Sequence, residues 1–406
     1  WEFGPFEVLD AIGLDYFIDR LRKENRAIPS FLLEIQSKKL SSVYKWIDGS
    51  RYFYCLETKE YSAIKNHQKF MNYLSLKTFD KTIKAHWSAS LVDLGDSVAG
   101  IELHSVLKPE LNPIDGSMME VFSYALDWVE DNNYKGLVVS GDGANFCAGA
   151  NLTLILQACE RKDYEALDKI INGLQQVFQL VRFSNFPVVA APYGLVLGGG
   201  MEMIGCCDRR VASAESYIGL VEVGVGLIPG AGGNLRMLSN LSKKIKTGIT
   251  GTLPLVQKAF ETIGFAKVAT SAKQAISYGY LTEDDKIILN RDHVLNEAKS
   301  EVISMADKYV TPDVETFKLP GSAGRIAFDV SAKGMVKSGK ISEHDALIGK
   351  KLAYVLTGGD KGGPFTSVDE QYLLDIEREA FLSLCGEQKS IDRIKYMLTK
   401  GKPLRN

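Results

Sequence analysis

Residues 194–210 read GLVLGGGMEMIGCCDRR, and this stretch decides the fold that we predict. Three glycines, Gly198, Gly199 and Gly200, separate a strand pattern from a helix pattern, although glycine destabilises ordered segments. Backbone N–H groups at a helix start lack partners, and glycine lets an anionic oxygen approach them. We therefore predict ligand contact with this backbone, with Glu202 beside it in the first turn. The alternative is a tight strand-to-helix crossing that needs small residues only for packing.

Alternating strand and helix patterns surround this stretch. The segments KGLVVSG (135–141) and FPVVAAPYG (186–194) predict buried strands, and SASLVDLGDSVAGIELHS (88–105) predicts two strands joined by a Gly-Asp turn. Apolar residues at i, i+3, i+4 and i+7 between positions 167 and 181 predict an amphipathic helix. This alternation predicts an α/β fold class.

The pattern divides the chain into three expected regions. Residues 1–85 read as a mainly helical segment, which ends in a Lys-, Thr- and Ser-rich linker at 75–85. An α/β core is expected over residues 86–285, and a helical carboxy-terminal region over 286–406.

Capping signals predict several helix ends. Asn112 before a proline predicts the start of a helix that runs to about residue 132. Ser342 and Asp345 have the spacing of a capping box, Ser390 is expected to cap the last helix, and Gly401 to end it.

Composition excludes several classes of function. The chain has 406 residues, 48 Lys plus Arg and 50 Asp plus Glu, so no excess of positive charge favours a nucleic acid or a membrane surface as partner. No apolar run is long enough to span a bilayer. Six cysteines without CxxC pairs predict a reducing, cytoplasmic location and no metal site. Because the sequence begins at Trp1 rather than Met, we interpret it as a piece of a longer protein.

Two further glycine-rich segments favour chemistry over packing. Residues 140–152, SGDGANFCAGANL, follow a predicted strand and can expose the backbone N–H of Ala150. Two such donors on neighbouring strand ends can form an oxyanion hole. Residues 216–233 add Glu222, and two glutamates in one apolar pocket suit acid–base chemistry because they should not both ionise freely.

The motifs FCAGANL, LGGGMEM and GLVEVGVGLIPGAGG, in this order, resemble the crotonase superfamily and specifically enoyl-CoA hydratases. The resemblance implies the ClpP/crotonase-like core of repeated ββα turns. It also implies that the N–H groups of Ala150 and Gly199 bind the thioester oxygen, that Glu202 activates water for attack on Cβ, and that Glu222 exchanges the proton at Cα. The neighbouring positions implied in substrate binding are Ala148, Gly149, Gly198 and Gly200.

This sequence departs from the family pattern in two places. Asn151 stands where the family often has Asp, and Pro192-Tyr193 replaces the commoner Val-Asn. The departure at Asn151 leaves the two predicted oxyanion donors in place.

The chain ends resemble bacterial bifunctional proteins that join a 3-hydroxyacyl-CoA dehydrogenase to a hydratase. The similarity is carried by WEFGPFEVLDAIGLD at residues 1–15 and by the tail from KLPGSAGRIAF to GKPLRN. It implies hydration of trans-2-enoyl-CoA in fatty-acid β-oxidation, followed by oxidation with NAD. Neither the glycine pair at 141 and 143 nor the pair at 224 and 226 completes G-x-G-x-x-G. We therefore expect NAD to belong only to a dehydrogenase domain that these residues do not include, and the hydratase step to need no cofactor.

Two alternatives remain open at this point. An enoyl-CoA isomerase on the same scaffold can work with one glutamate, and a non-catalytic acyl-CoA-binding or assembly module would bind without turnover. His67 and His86 have no supporting motif and are interpreted as surface or packing residues, and Cys147 lacks a nearby histidine that would activate it. The resemblance further implies an acyl-CoA substrate, a homo-oligomer and a thiolase partner.

Overall fold

A computed structural model describes residues 4–47, 50–64, 70–245 and 251–406. The chain forms two compact units, Trp1–Phe70 and Met71–Asn406. The unit boundary therefore precedes the one expected at residue 85. The prediction of a linker at 75–85 is wrong, because these residues contribute to a helix and to an edge strand of the main sheet.

The first unit combines three helices with a small antiparallel sheet of order β1-β2-β3. Its elements are α1 (Pro5–Ile12), α2 (Leu14–Lys23), α3 (Ser30–Ser37), β1 (Tyr44–Ile47), β2 (Ser50–Tyr54) and β3 (Tyr61–Ala63). The Asp10 carboxylate accepts hydrogen bonds from Val43 N (2.6 Å) and Tyr44 N (2.8 Å), which attaches α1 to the start of β1. The sheet makes the unit less helical than expected. His67 lies outside the described residues.

The second unit alternates strands and helices as predicted. Its elements, in chain order, are α4 (Tyr73–Thr78), β4 (Thr82–Ala85), β5 (Ala89–Asp93), β6 (Val98–Leu103), α5 (Gly116–Asp131), β7 (Gly136–Ser140), α6 (Leu152–Arg161), α7 (Tyr164–Arg182), β8 (Val188–Ala190), β9 (Gly194–Leu197), α8 (Gly199–Cys206), β10 (Arg209–Ser213), β11 (Ser216–Gly219), a 3₁₀ turn (Glu222–Val225), α9 (Gly233–Lys244), α10 (Leu253–Gly264), α11 (Ala272–Tyr278), β12 (Lys286–Ile288), a 3₁₀ turn (Arg291–His293), α12 (Val294–Ala306), β13 (Thr316–Lys318), α13 (Gly321–Lys337), α14 (Glu343–Leu356), β14 (Ser367–Asp369), α15 (Glu370–Cys385) and α16 (Gln388–Lys400).

Seven strands form the main sheet in the order β12-β10-β8-β7-β6-β5-β4. The predicted hairpin is present, because β5 pairs antiparallel with β6, and β4 pairs antiparallel with β5. From β6 to β12 the pairs are parallel. Strands β9 and β11 form a separate parallel pair, and β13 and β14 an antiparallel one. The predicted α/β class is therefore confirmed.

The main sheet is buried on both faces, as parallel sheets generally are. Side chains alternate along β7, so that Leu137 and Val139 enter the larger core while Val138 enters the smaller one. Helix α12 covers the smaller core with Val294 and Val302. The predicted amphipathic helix is α7, whose buried stripe includes Leu167, Ile171, Leu174, Phe178 and Val181.

The start of α5 differs from the prediction. Asp115, not Asn112, is the N-cap, and its carboxylate accepts a hydrogen bond from Met118 N (2.9 Å). Asn112 instead connects two loops, since its Oδ1 accepts from Ser105 N (2.8 Å) and its Nδ2 donates to Asn145 O (2.9 Å). A buried amide with partners in two loops stabilises the loop pair rather than a helix end.

The carboxy-terminal helices match two of the three predicted ends. Ser342 and Asp345 form the capping box of α14, and Gly401 ends α16 in the left-handed conformation. The expected cap at Ser390 is wrong, because α16 begins earlier, after Glu387. In the described part of the chain, no helix has both the length and the apolarity needed to cross a membrane.

Candidate active site

The loop between β7 and α6 pairs with β9. Cys147 N donates to Leu195 O (3.0 Å), and Leu197 N donates to Cys147 O (2.9 Å). On the other side, Ala148 N donates to Leu111 O (2.8 Å). The loop is therefore fixed at the end of β9, beside the start of α8.

The Ala150 amide is left free by this arrangement. Ile114 N donates to Gly149 O (2.9 Å), and Asn151 N donates to Ile114 O (3.2 Å). Ala150 lies between these two bonds in a parallel bridge to Ile114. Because alternate residues of a parallel pair make the ladder bonds, the Ala150 N–H is not used by Ile114. None of the described residues accepts a hydrogen bond from it.

The Gly199 amide is free for a different reason. Gly199 is the first residue of α8, where N–H groups have no intrahelical acceptor. Gly198 N donates to Gly219 O (2.9 Å), but within the described ranges no acceptor faces Gly199 N. A Cβ built on Gly199 would lie 3.3 Å from Ala150 N, so the two free amides border one small space.

The flanking glycines have separate roles in the packing. Gly149 and Gly198 have φ values of +103° and +54°, a region that favours glycine. A Cβ on Gly200 would lie 2.4 Å from Cys147 O, so Gly200 allows α8 to approach the loop. Ala148, Gly149 and Gly198 line the site cavity, whereas Gly200 is not among the residues around it. For Gly200, the structure favours the packing role.

Glu202 lies in the first turn of α8, as predicted, and is 5% exposed. Its Oε1 accepts hydrogen bonds from Ala231 N (2.8 Å) and Gly233 N (2.9 Å). Burial raises the pKa of Glu202, and these backbone amides act in the opposite direction by stabilising its ionised form.

Glu222 begins the 3₁₀ turn that follows β11, and its carboxylate is buried without a hydrogen-bond partner among the described residues. A Cβ built on Gly198 would lie 3.3 Å from Glu222 Oε1, so the carboxylate adjoins the glycine run. Burial first, and then the nearby charge of Glu202, raise the pKa of Glu222 well above its ordinary value. An unpartnered buried carboxyl next to a second carboxylate is stabilised in its protonated form.

The turn that holds Glu222 is fixed on both sides. Before it, the Tyr280 hydroxyl accepts a hydrogen bond from Leu220 N (3.2 Å) and donates to Lys267 O (2.6 Å). After it, the Ser390 hydroxyl of α16 donates to Gly226 O (2.6 Å). Ser390 therefore stabilises the turn that holds Glu222, a role that the sequence does not predict.

One cavity of about 740 Å³ is lined by Glu202 and Glu222, by the residues of the two free amides, and by a set of apolar side chains. Many of the apolar wall residues come from α6, α7, α15 and α16. They comprise Leu152, Ile155, Ile171, Leu174, Phe178, Phe381, Met397 and Leu398. Lys108 lines the same cavity and is exposed, so it lies at the opening. The arrangement combines two hydrogen-bond donors, two acids and an apolar chamber.

A third buried carboxylate, Glu377 of α15, adjoins this site and was missed by sequence reasoning. Its Oε1 accepts from Gly232 N (2.5 Å), and its Oε2 accepts from Asn234 N (3.1 Å). Burial, with Glu202 as the next cause, raises the pKa of Glu377 to about 8. A sequence signal existed, because Glu377 falls on the apolar face of α15, where an acid is unusual.

The remaining candidates have no chemical role in this geometry. Cys147 is buried, and burial raises the pKa of its thiol to about 12, which disfavours a thiolate nucleophile. His86 Nε2 lies 3.1 Å from Glu120 Oε2 in a partly exposed pair. In the residues that the structure describes, no cluster of three or more His, Cys, Asp or Glu side chains could hold a metal ion.

Comparison with known proteins identifies the domain. The sequence pattern of the family described as "Enoyl-CoA hydratase/isomerase" matches residues 93–259. Residues 93–259 are a domain of the enoyl-CoA hydratase/isomerase family. The matched range contains Ala150, Gly199, Glu202 and Glu222, whereas Glu377 lies outside it.

Sequence similarity to a known protein extends beyond this enoyl-CoA hydratase/isomerase domain. A Bacillus subtilis (strain 168) protein named "Probable 3-hydroxyacyl-CoA dehydrogenase" is 43% identical over 408 residues, which cover 100% of this chain and 50% of that protein. A "Crotonyl-CoA hydratase" of Syntrophomonas wolfei subsp. wolfei (strain DSM 2245B / Goettingen) is 39% identical over 111 residues, covering 27% of this chain and 40% of that protein. The chain spans about half the length of the first of these relatives.

The crystal structure of an enoyl-CoA hydratase from Bacillus halodurans has the same fold. It superposes with a TM-score of 0.51 at 16% identity, covering 76% of this chain and 98% of that chain. The predicted crotonase fold is therefore confirmed.

Proposed function

We propose that this chain adds water to trans-2-enoyl-CoA thioesters and forms 3-hydroxyacyl-CoA. The observation that carries the proposal is the meeting of Glu202 and Glu222 in one apolar cavity beside the free amides of Ala150 and Gly199. The name of the Syntrophomonas relative supports the same reaction.

In the proposed reaction, the free amides stabilise the thioester oxygen. Attack of water on Cβ moves electrons toward that oxygen, which becomes an enolate. Donors already oriented at Ala150 and Gly199 stabilise this charge without reorganising. Because the negative charge is greatest in the transition state, the same hydrogen bonds lower the barrier more than they strengthen substrate binding.

Two carboxyl groups in different protonation states complete the addition. Ionised Glu202 takes one proton from water as its oxygen bonds to Cβ, and protonated Glu222 donates its proton to Cα when the enolate collapses. Hydroxyl and hydrogen are thereby added across the double bond, and transfer of one proton from Glu202 to Glu222 restores the site. The unequal hydrogen bonding of the two glutamates supports this division, since Glu202 accepts two backbone amides while the Glu222 carboxylate has no hydrogen-bond partner among the described residues.

Three activities can be separated with four-carbon substrates. A hydratase removes the absorbance of the conjugated thioester when it is given trans-2-butenoyl-CoA. An isomerase would instead create this absorbance from the 3-enoyl isomer, with one glutamate sufficient for the proton transfer. An acyl-CoA-binding module would bind either compound without changing it, and that result would contradict the proposal.

We propose that the full protein oxidises the 3-hydroxyacyl-CoA product with NAD in fatty-acid β-oxidation, supported by the name of the Bacillus subtilis relative. Hydration transfers no electrons to a cofactor, so we expect this chain to form no NADH from trans-2-butenoyl-CoA and NAD. Formation of NADH would overturn this division. A cytoplasmic location, a homo-oligomer and a thiolase partner stay predictions, and sedimentation analysis tests the oligomer.

A further inference from the structure

The segment Ala231–Asn234 donates its four successive amides to two glutamates in alternation. Ala231 N and Gly233 N donate to Glu202, and Gly232 N and Asn234 N donate to Glu377. The two carboxylates belong to α8 and α15, and the segment between them leads into α9. Each glutamate therefore fixes the amides that the other does not use.

These hydrogen bonds also cap α9. The N-cap position is Gly232, which has φ +107° and no side chain that could accept a hydrogen bond. The first amides of a helix need acceptors from elsewhere. Glu202 and Glu377 supply them at opposite sides of the segment, so loss of one acceptor frees the segment to move relative to the other.

Glu377 has no direct access to the cavity. It is 0% exposed and is not among the residues around the cavity, whereas Glu202 is. The neighbouring Gln175 Nε2 donates to Gly230 O (2.8 Å) and Leu374 O (2.9 Å), which connects α15 to the residue just before the segment. Glu377 therefore reaches the cavity through the segment, beside the electrostatic interaction of its carboxyl with Glu202 and Glu222.

Two arginines on these elements form ion pairs with other acids. Arg236 of α9 forms an ion pair with Glu370 (2.7 Å), and Arg378 of α15 with Asp168 of α7 (3.1 Å). The acids that face Glu377 are Glu202, through the shared segment, and Glu222 beyond it. Glu377 thus has two backbone amides as partners, and no cation among the described residues forms an ion pair with it.

We propose that Glu377 is a positioning residue of this active site, which orients Ala231–Asn234 so that the Ala231 and Gly233 amides hold the Glu202 carboxylate in its reacting position. This inference rests on the proposed function. Glu377 touches no reacting atom. It acts through the backbone that Glu202 shares with it.

The test compares Glu377→Gln with Glu379→Gln, an exposed glutamate on the same helix. The Gln variant keeps the shape of Glu377 but replaces one acceptor oxygen with a donor group. With trans-2-butenoyl-CoA as substrate, we expect kcat to fall about tenfold or more, because small displacements of a catalytic group reduce rates strongly. KM should stay within about twofold, since Glu377 does not contact substrate. Glu379→Gln should match the wild type.

The pH profile separates positioning from loss of folded protein. When Glu202 loses its amide donors, its ionised form is less stable and its pKa rises. The acidic limb of kcat/KM should therefore move to higher pH in Glu377→Gln. A fall in kcat that only follows the folded fraction, with an unmoved acidic limb, would overturn the proposal.

Hydrogen exchange tests the same inference without turnover. In Glu377→Gln, a peptide covering residues 229–238 should exchange faster, and peptides from the main sheet should exchange as in the wild type. Unchanged exchange in 229–238 would overturn the inference even if hydration is observed. If the Gln variant does not fold, Glu377→Asp retains the carboxyl group but shortens its reach, and the same increase in exchange at 229–238 is expected. Absence of any hydration by the wild type would refute the proposed function and leave the exchange result as the test of positioning.

Discussion

Glu202 and Glu222 line the same cavity under opposite hydrogen-bonding conditions. Oε1 of Glu202 accepts the amides of Ala231 and Gly233, while both carboxylate oxygens of Glu222 are buried without a partner among the described residues. The amides stabilise a charge on Glu202, whereas no hydrogen bond from the described residues reaches the Glu222 carboxylate. The two side chains are chemically identical, but burial raises the pKa of Glu222 well above its ordinary value, whereas backbone amides oppose the effect of burial at Glu202.

Replacing either carboxyl with an amide should abolish most hydration. We expect Glu202→Gln and Glu222→Gln each to lower kcat by about 10²- to 10⁴-fold, the usual contribution of a general acid or base. Loss of the conjugated thioester absorbance measures the effect, and Glu215→Gln, an exposed site in the same domain, is the control. If both cavity variants are as active as the control, the assignment of the carboxylates is wrong.

The pH dependence of kcat/KM should be bell-shaped. Activity falls at low pH when Glu202 gains a proton, and falls at high pH when Glu222 loses its proton. Since burial raises the pKa of both groups, the optimum should lie above the range in which ordinary glutamates titrate. The residual activity of Glu222→Gln should lack the alkaline limb, and retention of that limb would assign it to another group.

Local patterns predicted the parts of the fold that local physics determines. The hairpin β5-β6, the buried strand β7 and the amphipathic helix α7 follow from alternation and helical spacing. The linker prediction at residues 75–85 is wrong because α4 is short and β4 is an edge strand with few buried side chains. Such elements depend on neighbours that the local sequence does not specify.

In the site, too, residues within local motifs could be predicted, whereas a residue that acts through a long-range contact could not. Motifs around the glycine runs placed Ala150, Gly199, Glu202 and Glu222, which the structure brings to one cavity. Glu377 escaped because its partners lie 143 and 145 residues earlier in the chain. Its position on the apolar face of α15 marks it as unusual, but the sequence does not show which segment its carboxylate contacts.

The space between the free amides should not tolerate a methyl group. In Gly199→Ala, the added Cβ would lie 3.3 Å from Ala150 N and 3.0 Å from Ile114 Cδ1. Gly199 is in helical conformation, so the substitution adds no left-handed strain. We expect a folded protein whose kcat is lower by about 10²-fold or more, comparable to loss of one oxyanion donor. Gly173→Ala, whose Cβ meets no atom within 4 Å, is the control, and equal activity of the two variants would contradict the placement of the oxygen.

Lys108 at the cavity opening should attract the phosphates of coenzyme A. We expect Lys108→Ala to raise KM severalfold at low salt and to leave kcat nearly unchanged, because the contact precedes the chemical step. Screening should shrink this difference as ionic strength rises, since the Debye length falls to about 8 Å at 0.15 M. Lys169→Ala, on the exposed face of α7, is the control because it removes the same positive charge. A KM difference that does not change with salt would exclude an electrostatic role for Lys108.

The two carboxyls in the cavity should differ in their effects on stability. Glu202→Gln removes a charged acceptor from two buried amides and should lower the free energy of unfolding by about 1–3 kcal/mol. Glu222→Gln removes a carboxyl that has no hydrogen-bond partner in the described structure, so the substitution should leave the free energy of unfolding unchanged or increase it.

The folded-state pKa of Glu222 is raised well above 4.5, so the folded state retains a proton that the unfolded state releases. Wild-type stability from this group is complete below pH 4.5 and decreases as the pH rises toward the folded-state value. In denaturant unfolding across this pH range, the free energy of unfolding of Glu222→Gln should increase relative to that of the wild type as the pH rises. A difference that stays constant with pH would mean that Glu222 is ionised in the folded protein.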